Sequence, residues 1–236
     1  MKNFAYAVPL GLLLAVSPAL QAQKAPSATA AAPKGAHPKS KEESQALSAL
    51  TKMANDPATT GPQLDAALTD FVTKYPTSDY LSSVAVFGLE FNQNPAHQNY
   101  DKSLLYGEQA IKNDPNGIYA LTTMGDIIPS HVQDTDLDRD QRLKEATDDD
   151  NQAIKIADTA GSSMNGKPFT DAQKNEVKAI AYASLARIAT LNKDYANAVA
   201  NFQKAIPLDD QPHQAVDNFY MARAYIEMKQ YPEALA

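Results

Sequence analysis

The 236-residue sequence contains no cysteine and only four histidines. Without cysteine the chain has no disulfide, no thiolate zinc site, no cysteine nucleophile and no cysteine that a lipid could acylate. None of the histidines has another histidine four residues away, the spacing that places two imidazoles on one helical face; they are His37, His97, His131 and His213. No serine lies in a nucleophile-elbow motif, and no glycine-rich segment has the order of a phosphate-binding loop. We therefore predict a protein that is not an enzyme and that binds no cofactor or metal.

Charge and composition divide the chain into segments. Residues 1–41 hold five of the 21 basic side chains and no acid, which leaves residues 42–236 with 16 basic against 28 acidic side chains and a net charge of −12. A body this acidic repels nucleic acid, so we exclude nucleic acid as a partner. Residues 23–41 are rich in alanine, proline, serine and lysine and contain no aromatic residue, which predicts a flexible linker.

The N-terminal residues 1–22 have the organisation of a signal peptide. Lys2 precedes an apolar run from Phe4 to Val16, and small residues such as Ala19 and Ala22 follow. A membrane-spanning helix needs about 20 apolar residues, and this run is shorter, so an uncleaved anchor is the less favoured alternative. We predict cleavage after Ala22, export to the periplasm or the medium, and no stable membrane insertion after cleavage.

The C-terminal part of the sequence repeats itself. Five residues recur 36 positions later: Leu185, Ala186, Lys193, Tyr195 and Ala198 return as Met221, Ala222, Lys229, Tyr231 and Ala234. Apolar residues at steps of three and four predict one helix through Tyr182, Leu185, Ala186 and Ala189, and a second through Tyr195, Ala198, Phe202 and Ala205. Lys193-Asp194 breaks the pattern between them. The small alanines allow the two helices to approach closely as an antiparallel pair.

On these residues the chain resembles the tetratricopeptide repeat family, whose unit of about 34 residues is a helix, a tight turn and a second helix. The family's closing proline is displaced to Pro212, Ala189 stands where a tyrosine is usual, and Asn218 replaces the first aromatic of the next unit. The resemblance implies an all-α fold, a right-handed α-solenoid of antiparallel helix pairs. It covers residues 42–236 with about five pairs and is clearest at 179–212 and 215–236.

Weaker copies of the pattern precede these repeats. First helices are expected around 81–88 and 121–128, and a second helix from Tyr100 to the Asp114-Pro115 stop. A further helix from Leu64 to Tyr75 ends in Phe71-x-x-x-Tyr75-Pro76-x-Ser78-x-Tyr80, which resembles repeats of periplasmic envelope proteins of the outer-membrane assembly lipoprotein and Tol-associated cell-division coordinator types. The last repeat stops within its second helix, so we expect a fragment or a longer natural protein.

An acidic segment offers an alternative chemistry. Acids occupy the spacing of an EF-hand calcium loop, at Asp134, Asp136, Asp138, Asp140 and Glu145. Arg139 stands where that loop requires glycine, so we favour a helix that is capped by Asp136 or Asp138 and runs to about Ala160. The run Asp148-Asp149-Asp150 resembles a metal cluster, but consecutive helical residues point about 100° apart and cannot converge on one ion, so we interpret the run as a solvated helix face. We interpret residues 161–168 as a loop between repeats.

The first helix of each clear repeat presents a second face, which in a stacked superhelix lines the inner groove. Ser184 and Arg187 lie on this face in one repeat, and Phe219, Tyr220 and Arg223 in the next. We predict that these residues bind an acidic or C-terminal segment of a protein partner, so that the chain is a scaffold or adaptor of the cell envelope. Alternatives are arginines that only pair with nearby acids such as Glu227, a calcium-binding structural module, and an accessory repeat region of a longer enzyme.

Overall fold

Helices make up nearly all of the structure that the computed structural model describes, which comprises residues 35–94, 98–159, 163–164, 167–209 and 211–235. The predicted signal peptide and the predicted linker up to residue 34 lie outside these residues. Within the described residues the only strands are Ser163–Met164 (β1) and Lys167–Pro168 (β2), which pair antiparallel. The predicted all-α class is therefore confirmed, with a two-residue ladder inside the segment that the sequence analysis assigned to a loop.

The described chain contains ten α-helices. In order they are α1 Lys41–Asn55, α2 Gly61–Lys74, α3 Leu81–Gln93, α4 Tyr100–Asn113, α5 Ile118–His131, α6 Arg139–Asp158, α7 Asp171–Leu191, α8 Tyr195–Ala205, α9 Gln211–Glu227 and α10 Tyr231–Ala234. A short 3₁₀ helix, Ile206–Leu208, follows α8. The predicted helices at 64–75, 81–88, 100–114 and 121–128 correspond to α2 to α5, and the helix predicted to start at Asp136 or Asp138 is α6. The first helix of the clearest repeat begins at Asp171, eight residues before the repeat's predicted start at 179, because Thr170 and Gln173 form a capping box there.

The 36-residue repeat has a structural counterpart in the backbone. Lys193 after α7 and Lys229 after α9 both adopt the left-handed conformation, with φ of 60° and 62°. The residues that follow them turn back onto the preceding helix in the same way: the Asp194 N–H donates to the Ala189 carbonyl at 2.8 Å, and the Gln230 N–H donates to the Tyr225 carbonyl at 2.9 Å. Both helices therefore end in the same turn, which satisfies carbonyl groups that a helix end would otherwise leave unpaired.

The chain divides into two units, and the first comprises the residues up to Ala120. In it α1 packs on α2, α2 on α3 and α3 on α4. Its interior contains Leu47, Leu68, Phe71, Val84, Leu89 and Tyr106, all without exposed surface or nearly so. The Tyr106 hydroxyl forms a hydrogen bond of 3.0 Å with Thr69, so this one side chain of α4 joins the core of α2 to that of α3.

The described end of the predicted linker is packed against this first unit. The Tyr80 hydroxyl donates to the Ala36 carbonyl at 3.1 Å, and the Lys39 ammonium lies 2.9 Å from Asp79. The buried Glu43 carboxylate accepts hydrogen bonds from the Lys39 N–H at 2.7 Å and from the Ser78 hydroxyl at 2.5 Å. Residues 36–39 are thus held by the turn between α2 and α3.

The second unit begins at Leu121 and contains most of α5 together with α6 to α10. Each helix from α6 onward packs on the next one in sequence. Alanines fill much of the interior, including Ala146, Ala153, Ala157, Ala181, Ala186, Ala198 and Ala205, and Phe202 lies among the last of them. Small side chains bring helix axes close together, which is the packing that the repeat pattern predicted. No helix in the described ranges combines the length and the apolar character that crossing a bilayer requires.

Candidate binding face on helices α7 and α9

The two residues predicted to bind a partner from α7 are engaged inside the second unit. Ser184 has 0% of its surface exposed, and its hydroxyl donates to the Gly125 carbonyl of α5 at 2.6 Å. Arg187 is half-buried, and its Nη2 forms an ion pair with Asp126 of α5. The structure therefore places both side chains at the junction between α7 and α5 and not on an open surface.

The environment of Arg187 is strongly acidic. Burial lowers the pKa of Arg187, but the charge and hydrogen bond of Asp126, followed by the charges of Asp217 and Asp150, outweigh burial and raise the pKa above its ordinary value. The arginine is therefore charged at every accessible pH, and acids of its own chain neutralise it. This is the arrangement that the alternative interpretation predicted, in which the arginine pairs with a nearby acid, although the acid is Asp126 and not Glu227.

The three residues predicted on α9 lie at the surface and contact one another. The rings of Phe219 and Tyr220 meet edge to face, with centroids 5.5 Å apart. The guanidinium of Arg223 lies 5.9 Å from the centroid of the Phe219 ring and 6.0 Å from that of Tyr220. These are distances at which an aromatic ring attracts a cation. The three residues that the sequence analysis grouped on this helix therefore lie together at its surface.

Two further apolar side chains extend this surface. Phe219 is 59% exposed, Val216 is 51% exposed and Ile226 is 50% exposed. Residues 216, 219, 223 and 226 follow the spacing of one helical face, so the apolar side chains flank the arginine on both sides. We call the set Val216, Phe219, Tyr220, Arg223 and Ile226 the α9 face. Ile226 was not among the residues that the sequence analysis assigned to this face, although its distance of three residues from Arg223 was the available signal.

Charge distinguishes Arg223 from its repeat equivalent Arg187. Arg223 is exposed and has no ion pair with any residue of the described ranges, including Glu227 one helical turn away. A guanidinium can donate two parallel hydrogen bonds to a carboxylate. The α9 face therefore combines exposed apolar area with a cation that no acid of the described chain neutralises.

The acidic run of α6 differs from its prediction at one residue. Asp148 is exposed, as expected for a solvated face, whereas Asp150 has 0% of its surface exposed. The interpretation of the whole run as solvated was wrong for Asp150, because the facing residue of α5 is Gly125, whose missing side chain leaves the space that the carboxyl occupies. A Cβ added to Gly125 would lie 2.0 Å from the Asp150 Oδ1.

The acids of the predicted calcium loop do not converge on a common site. Arg139 lies 3.4 Å from Asp134 and 2.8 Å from Asp140, and it donates to the Leu191 carbonyl at the end of α7 at 2.7 Å. Among the described residues there is no group of three acidic or histidine side chains arranged to hold a metal ion. Two of the acids, Asp134 and Asp140, instead pair with an arginine that caps a neighbouring helix, and Asp138 pairs with Arg142.

Comparison with protein-family models, with curated proteins and with solved structures finds no match for this chain. The function proposed below depends on the residues of the chain itself, and above all on the α9 face. The resemblance to tetratricopeptide repeats accordingly enters that proposal as a hypothesis drawn from residue spacing.

Proposed function

We propose that this protein is a non-catalytic binding scaffold of the tetratricopeptide repeat type, exported to the bacterial cell envelope, which holds a segment of another protein on its α9 face. Its helix pairs stack in a right-handed solenoid, so that the first helix of each pair lines the inner surface. The observation that carries the proposal is the α9 face itself, where four exposed hydrophobic side chains flank a cation without an acidic partner in the described residues.

The chemistry of the face specifies the chemistry of its partner. Exposed apolar side chains gathered on one helix are unfavourable in water, and covering them stabilises a complex by about 25 cal/mol for each Å² removed from solvent. Arg223, held over two rings, presents its donors to a carboxylate. The partner segment therefore contributes apolar side chains that flank one carboxylate, either an acidic side chain or a C-terminus.

The remaining parts of the proposal come from the sequence. The signal-like residues 1–22 and the absence of cysteine favour an exported protein that no lipid anchors, and the acidic body disfavours nucleic acid. The linker extends from residue 23, and its last residues pack on the first unit at Tyr80 and Asp79. These features support the proposal of an exported helical body that follows a linker.

A peptide display selection tests this function. We expect the purified protein to select peptides that combine apolar residues with a carboxylate, and we expect the selected peptides to bind at least tenfold more weakly to Arg223→Gln and to Phe219→Ala. Lys155→Gln is the matched control, because it removes one exposed positive charge from α6 in the same unit and should leave binding unchanged. A selection without consensus, or peptides that bind Arg223→Gln as tightly as the parent protein, would show that the α9 face is not the binding site.

A further inference from the structure

A second feature of the molecule lies inside the second unit and is independent of the α9 face. The carboxyl of Asp150, in the middle of α6, is fully buried, and neither of its oxygens accepts a hydrogen bond from a residue of the described chain. It lies against the backbone of Gly125, where no other residue would leave room for it. A buried polar group without a partner is costly, so a carboxyl kept in this position calls for a physical reason.

The groups around Asp150 come from each helix packed at this point. Helix α5 contributes Asp126, α7 contributes Ser184 and Arg187, and the neighbouring Asp149 lies on α6 itself. Ser184 uses its hydroxyl hydrogen on the Gly125 carbonyl and therefore has none to donate to the carboxyl. Arg187 uses its Nη2 on Asp126, and its Nε is buried and has no hydrogen-bond partner among the residues that the structure describes.

The carboxyls of Asp126 and Asp150 thus both lie near the guanidinium of Arg187, whose Nε–H is an unused donor. Asp126 holds the arginine in the structure, while Asp150 is near enough for the Arg187 charge to act on it. Asp217 of α9 adds a third negative charge on the Arg187 side. One positive charge cannot neutralise all of these acids. Whether Arg187 pairs with Asp126 or with Asp150 therefore depends on whether Asp150 carries a proton.

We propose that Asp150 and Asp126 compete for Arg187, and that a proton on Asp150 decides which of them holds it. With the proton bound, Asp150 is neutral and Arg187 pairs with Asp126, as the structure shows. When Asp150 loses its proton to solvent, the buried carboxylate gains a charge that Arg187 can balance. The guanidinium then turns its Nε toward Asp150 and releases Asp126 to solvent.

The direction of the titration agrees with this order of states. Burial raises the pKa of Asp150 well above its ordinary value, and the charges of Asp126 and Asp149 raise it further, while the charge of Arg187 acts in the opposite direction. The state with Arg187 on Asp126 is therefore the one present in acid, and the exchange takes place as the pH rises. The ion pair between Arg187 of α7 and Asp126 of α5 therefore forms or breaks according to the pH of the solution.

Nuclear magnetic resonance of the full chain tests the exchange. The Nε–Hε signal of Arg187, identified by its loss in Arg187→Lys, is followed from pH 5 to pH 10 with the carboxyl carbons of Asp126 and Asp150. We expect all three signals to move with one shared midpoint. In Asp150→Asn the Arg187 transition should disappear. In Asp126→Asn the midpoint should move to lower pH, because removing Asp126 frees the arginine and removes a negative charge near Asp150.

Asp148→Asn is the matched control, since it neutralises an exposed acid of the same helix and should leave the midpoint in place. A transition of Arg187 that persists in Asp150→Asn would overturn the proposal, as would an Arg187 signal that stays constant while Asp150 titrates. If Asp150→Asn does not fold, Asp126→Asn alone decides, because a midpoint that stays in place or moves to higher pH contradicts the competition.

Discussion

The ring of Tyr106 in α4 occupies the space that a side chain on Gly88 of α3 would need. A Cβ on Gly88 would lie 2.6 Å from the ring, which is itself fully buried. The ring cannot move freely, because its hydroxyl is held by Thr69 of α2. Glycine is therefore required at this position for the close approach of α3 and α4, and not for backbone flexibility.

We predict that Gly88→Ala destabilises the protein by about 1–3 kcal/mol, the usual cost of overpacking a core, even though alanine is the better helix former. Urea unfolding followed by circular dichroism measures the change. Tyr106→Phe is the companion variant: it keeps the ring and removes the hydroxyl, so it should cost only about 1 kcal/mol. Unfolding of Gly88→Ala at the parent's urea concentration would show that the ring moves aside at no cost.

Gly125 and Asp150 form a second pair of this kind in the other unit. Gly125→Ala brings a methyl group to 2.0 Å from the Asp150 Oδ1, so it should destabilise the protein by about 1–3 kcal/mol. In an Asp150→Ala background the methyl group meets no carboxyl, and most of the loss should be recovered. A double-mutant cycle measures this coupling. Equal losses in the two backgrounds would place the source of the destabilisation elsewhere.

Buried acids predict a pH dependence of stability. Burial raises the pKa of Glu90 to about 8, and neither of its carboxylate oxygens has a hydrogen-bond partner among the described residues. The folded protein holds this proton more tightly than the unfolded chain does. The stabilisation that this bound proton gives to the folded state is therefore complete below the ordinary pKa of 4.5 and is lost as the pH rises through about 8.

Asp149, whose pKa burial raises to about 7 with help from Glu145 and Asp148, acts in the same direction. We therefore expect the free energy of unfolding to fall from pH 5 to pH 8, by at most about 1.4 kcal/mol per pH unit for each such group. Glu90→Gln should reduce this slope, whereas Glu108→Gln, at an exposed position of α4, should not. Stability that is constant or increases over this interval would contradict the burial of these protons.

The left-handed residues after α7 and α9 predict a gain in stability. Lysine at a φ near 60° is strained by its Cβ, and glycine is not. Lys193→Gly and Lys229→Gly should each raise the free energy of unfolding by up to about 1 kcal/mol. Lys155→Gly, within α6, should lower it by about 1 kcal/mol. A loss in all three variants would indicate that the lysine side chains make contributions beyond the turn.

Periodicity predicted the parts of this fold that depend on local sequence. The spacing of Tyr182, Leu185 and Ala186 predicted α7, and Lys193-Asp194 predicted its end. Both predictions were possible because a helix face and a left-handed turn depend on residues that are close in sequence. The exposed cluster around Arg223 was predicted for the same reason, since Phe219, Tyr220 and Arg223 lie within one and a half turns of a single helix.

The sequence analysis did not predict contacts between helices that are far apart in sequence. Ser184 was placed on an open face, but it is buried because it meets the Gly125 carbonyl 59 residues earlier in the chain. Asp150 was interpreted as solvated together with Asp148 and Asp149, and nothing in the local sequence shows that a glycine faces it. Residue spacing along one helix identifies a face, whereas the depth of a residue depends on the helix that covers it.

The central claim is that Arg223 binds a carboxylate of the partner beside the exposed rings of α9. The most direct measurement is a double-mutant cycle by fluorescence polarisation. It compares a selected peptide and the same peptide with its carboxylate replaced by an amide, on the parent protein and on Arg223→Gln. The account predicts that the amide weakens binding to the parent protein about tenfold, and that it has almost no effect on Arg223→Gln. Equal effects of the amide on both proteins would contradict it.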